Sequence, residues 1–328
     1  MQRDEAFELS RHKSYYPYQV DREHTFYCPQ ENLEALIEDK RINNHHEHML
    51  KEYIPSVSGS KVIMLLLPCV KKKPYNLSAE HLAINRYLLR SGFRPTADAE
   101  YPSELEQIVE PDEKLLLNNS VLKRGDIYLH RVVISEPMAL VPYEYIYYYN
   151  KKLSMFSQYD DPGLFEHRGT SVCPWRSDYS ARPVGKKFGW GPQEKLAYVK
   201  AHNLLAERIA GMLKRLHNHY GKIIGYVAPK LTHRSFLTDV AQKRMMGLPI
   251  SRLTAEGKLN LLGVGDILPD LVKIIPDNSD IEQILLKLKK RLVVNDDRYV
   301  KSYFATGGGV ATALVLPESL EILDSYLN

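Results

Sequence analysis

Very little in this sequence points toward a disulfide scaffold, a metal ribbon or a membrane. The three cysteines, Cys28, Cys69 and Cys173, are too few and too scattered in 328 residues for a disulfide framework. No Cys-x-x-Cys pair offers half of a ribbon-type zinc site, so each cysteine is read alone, and neither a metal nor a cofactor is expected. No apolar run approaches the roughly 20 residues that a spanning helix needs. Met1-Gln-Arg-Asp-Glu also lacks the charged-then-apolar layout of a signal peptide. The expectation is a cytoplasmic protein with no membrane partner. A strong charge of one sign is missing too: 44 Lys and Arg against 40 Asp and Glu leave +4, which says little unless the positive groups cluster.

They cluster twice. Lys71, Lys72 and Lys73 are consecutive, and Arg182, Lys186 and Lys187 sit in a loop rich in Gly, Pro and aromatic residues. Such runs are ordinarily solvated faces; beside a chemical motif, Lys71, Lys72, Arg182, Lys186 and Lys187 become candidate nucleic-acid contacts.

What is present is an alternation of buried-strand and helix patterns. "KVIMLLL", Lys61 to Leu67, is a continuous apolar run after the turn-like "SVSGS", as in a strand covered on both faces. Ser78 reads as the N-cap of a helix from Ala79 to Leu89, with Glu80 in the first turn where the dipole favours it. "IYLHRVVIS", Ile127 to Ser135, is a second strand, and "FSQYDDPGLFEHRGTSVCPW", Phe156 to Trp175, is loop material with short strands. A long amphipathic helix is predicted from about Gln193 to Tyr220 with Gly221 as its stop; "KIIGYVA", Lys222 to Ala228, is another buried strand, and Thr232 caps the next helix. The fold class is α/β, a three-layer sandwich with a mostly parallel central sheet. An N-terminal helical extension (1–55) precedes the core (56–245), and a small C-terminal α+β unit (246–328) follows it. In the extension, "NHHEH" at Asn44 to His48 is expected on a solvated helix, and "TGGGV", Thr306 to Val310, as a turn without function.

The densest chemistry lies in "LLLPCVKKKPYNLSAEH", Leu65 to His81. In open α/β sheets ligands collect at the carboxyl ends of strands, and Pro68-Cys69 ends this one. A nearby helix N-terminus and up to three lysines would lower the thiol pKa, and His81 in the first helical turn would stay neutral and available as a base. Cys69 and His81 are thus a candidate nucleophile and base. The bland alternative, a strand-end Cys and a helix-surface His, stays open on spacing alone.

Pro68-Cys69, three residues, Lys73-Pro74-Tyr75, two residues, Ser78, two residues and His81 resembles the signature of archaeosine synthase, the archaeal tRNA-modifying relative of the tRNA-guanine transglycosylases. "VVISEPMALVPYE", Val132 to Glu144, is similar to that family's second strand and Ser-x-Pro-x-x-x-Val-Pro-x-Glu loop, and the likeness runs on through Tyr159-Asp160 toward Trp175, covering about residues 56 to 245. The resemblance implies a transferase that converts the nitrile of 7-cyano-7-deazaguanine in tRNA into an amidine. Free lysine or another amine is the donor, and a radical SAM enzyme or a transglycosylase-like subunit is the partner. It implies a short form without the transglycosylase-like domain. It also implies roles: Cys69, His81 and Lys73 in catalysis, with Pro68, Tyr75, Ser78, Ser135, Glu136, Asp160 and Trp175 around the substrate. Ser78 reads mainly as a cap, Tyr75 as a stacking or corner-packing ring, and Cys173 and Trp175 as part of a loop that closes the pocket. Two other readings remain: a non-catalytic tRNA- or partner-binding subunit of a split enzyme, and an enzyme acting on deazaguanine-modified DNA.

Overall fold

We describe residues 2–161 and 171–328 of the computed structural model of the protein. The centre of the Phe156–Trp175 stretch therefore lies outside the described residues.

The apolar runs become one mixed sheet. In chain order its strands are β1 (Gly59–Pro68), β2 (Arg94–Pro95), β3 (Leu122–Arg124), β4 (Ile127–Ser135), β5 (Ala139–Pro142), β6 (Tyr220–Tyr226) and β7 (Lys273–Ile275). The order across the sheet is β7-β6-β1-β4-β3-β2, with β5 on β4 as well. The centre is parallel: β1 pairs with both β6 and β4, and β6 with β7. Pairing to β2, β3 and β5 is antiparallel.

Successive side chains of a strand point to opposite faces, and both faces of β1 are buried. Ile63, Leu65 and Leu67 enter one apolar cluster, and Val62, Met64 and Leu66 enter another. The helices are α1 (Arg3–Ser10), α2 (Pro29–Glu38), α3 (Lys40–Lys51), α4 (Ala79–Arg90), α5 (Pro192–Leu216), α6 (Thr232–Leu237), α7 (Val240–Met245), α8 (Val264–Ile267), α9 (Asn278–Leu292), α10 (Asp297–Ala305) and α11 (Pro317–Tyr326). α4 gives Ile84 and Leu88 to the first cluster, and α5 lays Leu205, Ile209, Met212 and Leu216 into the second, at the spacing of one helix face. Tyr18 and Phe26 near the N-terminus, and Leu314, Leu320, Leu323 and Leu327 near the C-terminus, share the first cluster. β7, beyond residue 246, completes one end of the sheet, so both flanking segments are built into the same core.

Some local readings change. α5 ends at Leu216 and a short 3-10 turn, His217–His219, delivers the chain into β6, so Gly221 lies in a strand. Its role is close approach: a Cβ there would stand 1.8 Å from the Ser60 carbonyl oxygen. Gly221→Ala should therefore push β6 off β1 and cost about 2–3 kcal/mol, read as a lower urea midpoint with unchanged slope. Leu231, not Thr232, precedes α6 as its N-cap, and no side-chain cap bond forms there. Ser78 does cap α4, its Oγ accepting from the His81 N–H at 3.2 Å.

The histidines of "NHHEH" depart furthest from expectation. His45 and His46 are wholly buried, donating from Nε2 to the carbonyls of Leu140 (2.9 Å) and Pro137 (3.1 Å). α3 is not a solvated helix; these two rings face β5 and the turn that follows Ser135.

Candidate active site

Three parallel strands end on the same edge, and each leads into one part of the site. β1 ends at Pro68 and delivers Cys69, whose N–H is held by the Ile134 carbonyl at 2.9 Å. β4 ends at Ser135, followed by Glu136 and a cis Glu136–Pro137 peptide. β6 leads through a short loop to His233 in the first turn of α6.

The imidazole beside the sulfur belongs to His233: its Nε2 lies 3.1 Å from Cys69 Sγ. His81, expected there from spacing, has both ring nitrogens engaged elsewhere. The Pro68 carbonyl at 2.9 Å can only accept, so Nε2 carries the proton and Nδ1 accepts from the Tyr143 hydroxyl at 2.6 Å. Burial pushes the His81 ring down to about 4, with Arg131 and Lys73 adding like-charge repulsion. His81 is thus a neutral strut that holds the carbonyl just before the sulfur.

Cys69 is half-buried. Burial pushes its thiol up to about 11; Lys73 pulls the other way, Asp161 adds to the rise, and hydrogen bonds from the Glu136 backbone and the Ser135 hydroxyl lower it in part. The expected pre-formed thiolate is therefore not the resting state: desolvation of one sulfur outweighs a single buried lysine. Burial also lowers the His233 pKa, against the opposing pull of Glu136, Glu80 and Asp161. A neutral thiol thus faces a neutral ring, and His233 Nδ1 is buried with no hydrogen-bond partner among the described residues.

Lys73 is 1% exposed and donates from Nζ to the Val70 carbonyl. Its Nζ also lies 4.9 Å over the Tyr75 ring and 4.5 Å over the Tyr159 ring. Burial lowers its pKa, while Cys69, Asp160 and Asp161 raise it. The Tyr75 hydroxyl meets Tyr159 (2.6 Å) and Ser135 (3.0 Å), and Ser135 meets Tyr159 (2.6 Å), a closed triangle beneath the sulfur's loop. Tyr75 is completely buried.

Asp160 receives Ser10 Oγ at 2.6 Å and the Lys13 ammonium on one oxygen; the other oxygen is buried with no hydrogen bond to it among the described residues. The N-terminal segment thus ties into the site, and Lys73 itself is bracketed by backbone bonds to Lys13 and Tyr15 at 2.9 Å each.

Other expected residues have partners outside the Cys69–His233 contact. Trp175 meets Tyr27 edge-on at 6.1 Å, donates from Nε1 to Glu31 at 3.3 Å, and packs against the buried cluster of Ala6, Tyr27, Cys28 and Cys173. Lys71 is exposed, whereas Lys72 lies 3.9 Å over the Tyr15 ring and donates to the His12 carbonyl at 3.0 Å. Arg182, Lys186 and Lys187 are exposed on a hairpin before α5.

Sequence reasoning missed His233 and Glu80. His233 was findable, since "THRS" opens a helix after a strand that ends on the same sheet edge as Cys69. By sequence Glu80 is a dipole-stabilised first-turn carboxylate. It is buried, and burial lifts its pKa to about 7, moderated by the Thr312 hydroxyl that donates to it and by His233.

A thiol held protonated should alkylate slowly at neutral pH. Iodoacetamide labelling of Cys69, followed by peptide mass spectrometry, should accelerate about tenfold per pH unit up to about pH 10. A rate already on its plateau at neutral pH would mean an ion pair instead. Compared with protein-family models, with curated proteins and with solved structures, the chain matches none.

Proposed function

We propose that the chain is a transferase of the archaeosine synthase type, acting through Cys69 on the nitrile of 7-cyano-7-deazaguanine carried by tRNA, on an α/β sandwich whose carboxyl edge presents the site. The observation that supports it most is the 3.1 Å contact between Cys69 Sγ and His233 Nε2 where β1, β4 and β6 end. The seven signature positions from Pro68 to His81 supply the rest of the same corner.

The chemistry follows from the pair. A nitrile carbon is electrophilic but reacts poorly with amines near neutral pH, so a covalent route splits the step. Sulfur attacks the carbon, the S–C bond forms, and one π bond of the nitrile opens. His233 Nε2 takes the thiol proton and returns it to the nitrile nitrogen, leaving a neutral thioimidate. A neutral amine, lysine in this reading, then adds to the same carbon. The C–S bond breaks, the sulfur recovers a proton through His233, and an amidine is released. Lys73, close enough to act on the sulfur electrostatically, stabilises negative charge on sulfur during attack and departure. A resting neutral pair suits this sequence, because the proton that leaves sulfur is the one nitrogen needs.

The test is incubation with lysine and tRNA bearing 7-cyano-7-deazaguanine, followed by nucleoside mass spectrometry. A lysine adduct of the deazaguanine nucleoside is the expected product. Unchanged tRNA that nevertheless binds would point to the non-catalytic subunit, and an adduct on modified DNA alone would move the substrate class.

A further inference from the structure

Far along the chain from Cys69, the other two cysteines meet. Cys28 stands at the N-cap position of α2 and makes no side-chain cap bond; Glu31 lies in the first turn of the same helix. Cys173 lies between Ser171 and Trp175, ahead of α5. One ligand atom from each of Cys28, Glu31 and Cys173 lies within 4.8 Å of the others, and the two cysteines are 0% and 2% exposed and not joined by a disulfide.

We infer that Cys28, Cys173 and Glu31 bind a thiophilic divalent metal ion of the zinc class, which staples the segment around Cys173 to the N-terminal helices. Two sulfurs and one carboxylate oxygen select zinc over magnesium or calcium, whose preferred donors are all oxygen. Three protein donors leave a fourth tetrahedral position for water. The carboxylate is already aimed, since Tyr27 N–H donates to one Glu31 oxygen at 2.7 Å and Trp175 Nε1–H to the other at 3.3 Å. Outer donors of this kind orient a ligand and are part of a metal site's design.

The charges also close. Two thiolates and one carboxylate carry three negative charges; Arg3, whose Nε is 3.8 Å from Glu31, supplies one positive charge and the ion supplies two. A neutral cluster of this kind can be buried without leaving an uncompensated charge. Binding converts both thiols to thiolates and releases two protons to water. The pattern is invisible along the chain because its sulfurs come from distant segments, which is why cysteine spacing predicts no metal.

The test uses the full chain, purified metal-free and reduced, and titrated with Co2+. A sulfur-to-cobalt charge-transfer band saturating at one equivalent, and its displacement by Zn2+, is the expected result. Cys28→Ser and Cys173→Ser should each lose the band, whereas Cys69→Ser should keep it. If a serine variant does not fold, Glu31→Gln, which retains one carbonyl oxygen as an acceptor, should weaken binding by at least about tenfold. Absence of the band, its survival in both serine variants, its loss in Cys69→Ser, or a Cys28–Cys173 disulfide forming under the same reducing conditions would each overturn the site.

Discussion

In the proposed reaction, Cys69→Ala should abolish transfer of an amine to the deazaguanine nitrile, while His233→Asn should slow it by roughly a hundred- to ten-thousand-fold, the range for loss of a positioned acid-base group. The two substitutions remove different parts of one step. Without sulfur there is no covalent intermediate. Without the ring, the thiol that burial holds near 11 loses the imidazole 3.1 Å from it, so attack draws more on the rare free thiolate. The residual rate of His233→Asn should therefore rise steadily with pH, following thiolate formation, whereas the unaltered protein should respond less steeply. His81→Asn provides the contrast. Its ring donates to the Pro68 carbonyl and accepts from Tyr143, so the variant should lose stability and some rate with no change in the shape of the pH profile. If His81→Asn steepened the profile and His233→Asn did not, the base would be His81 and the contact with His233 would be packing alone.

Mild acid should unfold the protein. Burial holds His45 and His202 down to about 3, and His46 and His81 down to about 4. Each ring has a free-chain value near 6.5. As pH falls below that value, the unfolded chain takes up protons that the folded state refuses. The stability these neutral rings contribute is complete above about 6.5 and is lost as pH drops toward the folded values. At about pH 5 each ring has cost about 2 kcal/mol, about 8 in all, against a typical stability of about 5–15 kcal/mol. Glu80 acts in the opposite direction. Its folded value of about 7 lies above its ordinary 4.5, so acidification returns about 2–3 kcal/mol between those two values. The net loss still dominates. Nδ1 of His45 is buried with no hydrogen-bond partner among the described residues, so a second proton on that ring finds nothing to bond there.

Circular dichroism against pH should show cooperative loss of structure with a midpoint between about pH 5 and pH 6. His45→Gln, whose amide can still donate toward the Leu140 carbonyl, should move the midpoint lower because one titrating ring is gone. A signal that stays flat down to about pH 4.5 would show that these rings find proton acceptors in the folded state.

The elements of the fold were legible where local pattern and burial agree. The apolar run at Lys61 to Leu67 has to be a doubly covered strand, because no amphipathic alternative fits a segment with no polar face. Ile127–Ser135 was readable for a similar reason of apolar pattern. The Ser78 cap followed from side-chain chemistry confined to three residues. The errors arose where a residue's role depends on what arrives from elsewhere. Gly221 follows a helix and therefore resembles a stop, yet its backbone is pressed against Ser60 from another strand. His45 and His46 look like residues of a polar helix until β5 and the turn after β4 supply carbonyls to receive their N–H groups.

The site divides in the same way. Sequence by itself determined that Cys69 stands at the carboxyl end of a buried parallel strand, that a capped helix follows it, and that reactive residue types crowd that corner, since each depends only on neighbours within a few turns of chain. Which imidazole faces the sulfur, whether that sulfur is ionised, and where the other two cysteines go were decided by tertiary structure. A thiol's partner is set by which strand ends lie side by side, and its proton affinity by how much water the surrounding segments exclude. Neither quantity is stored in the spacing of residues along the chain.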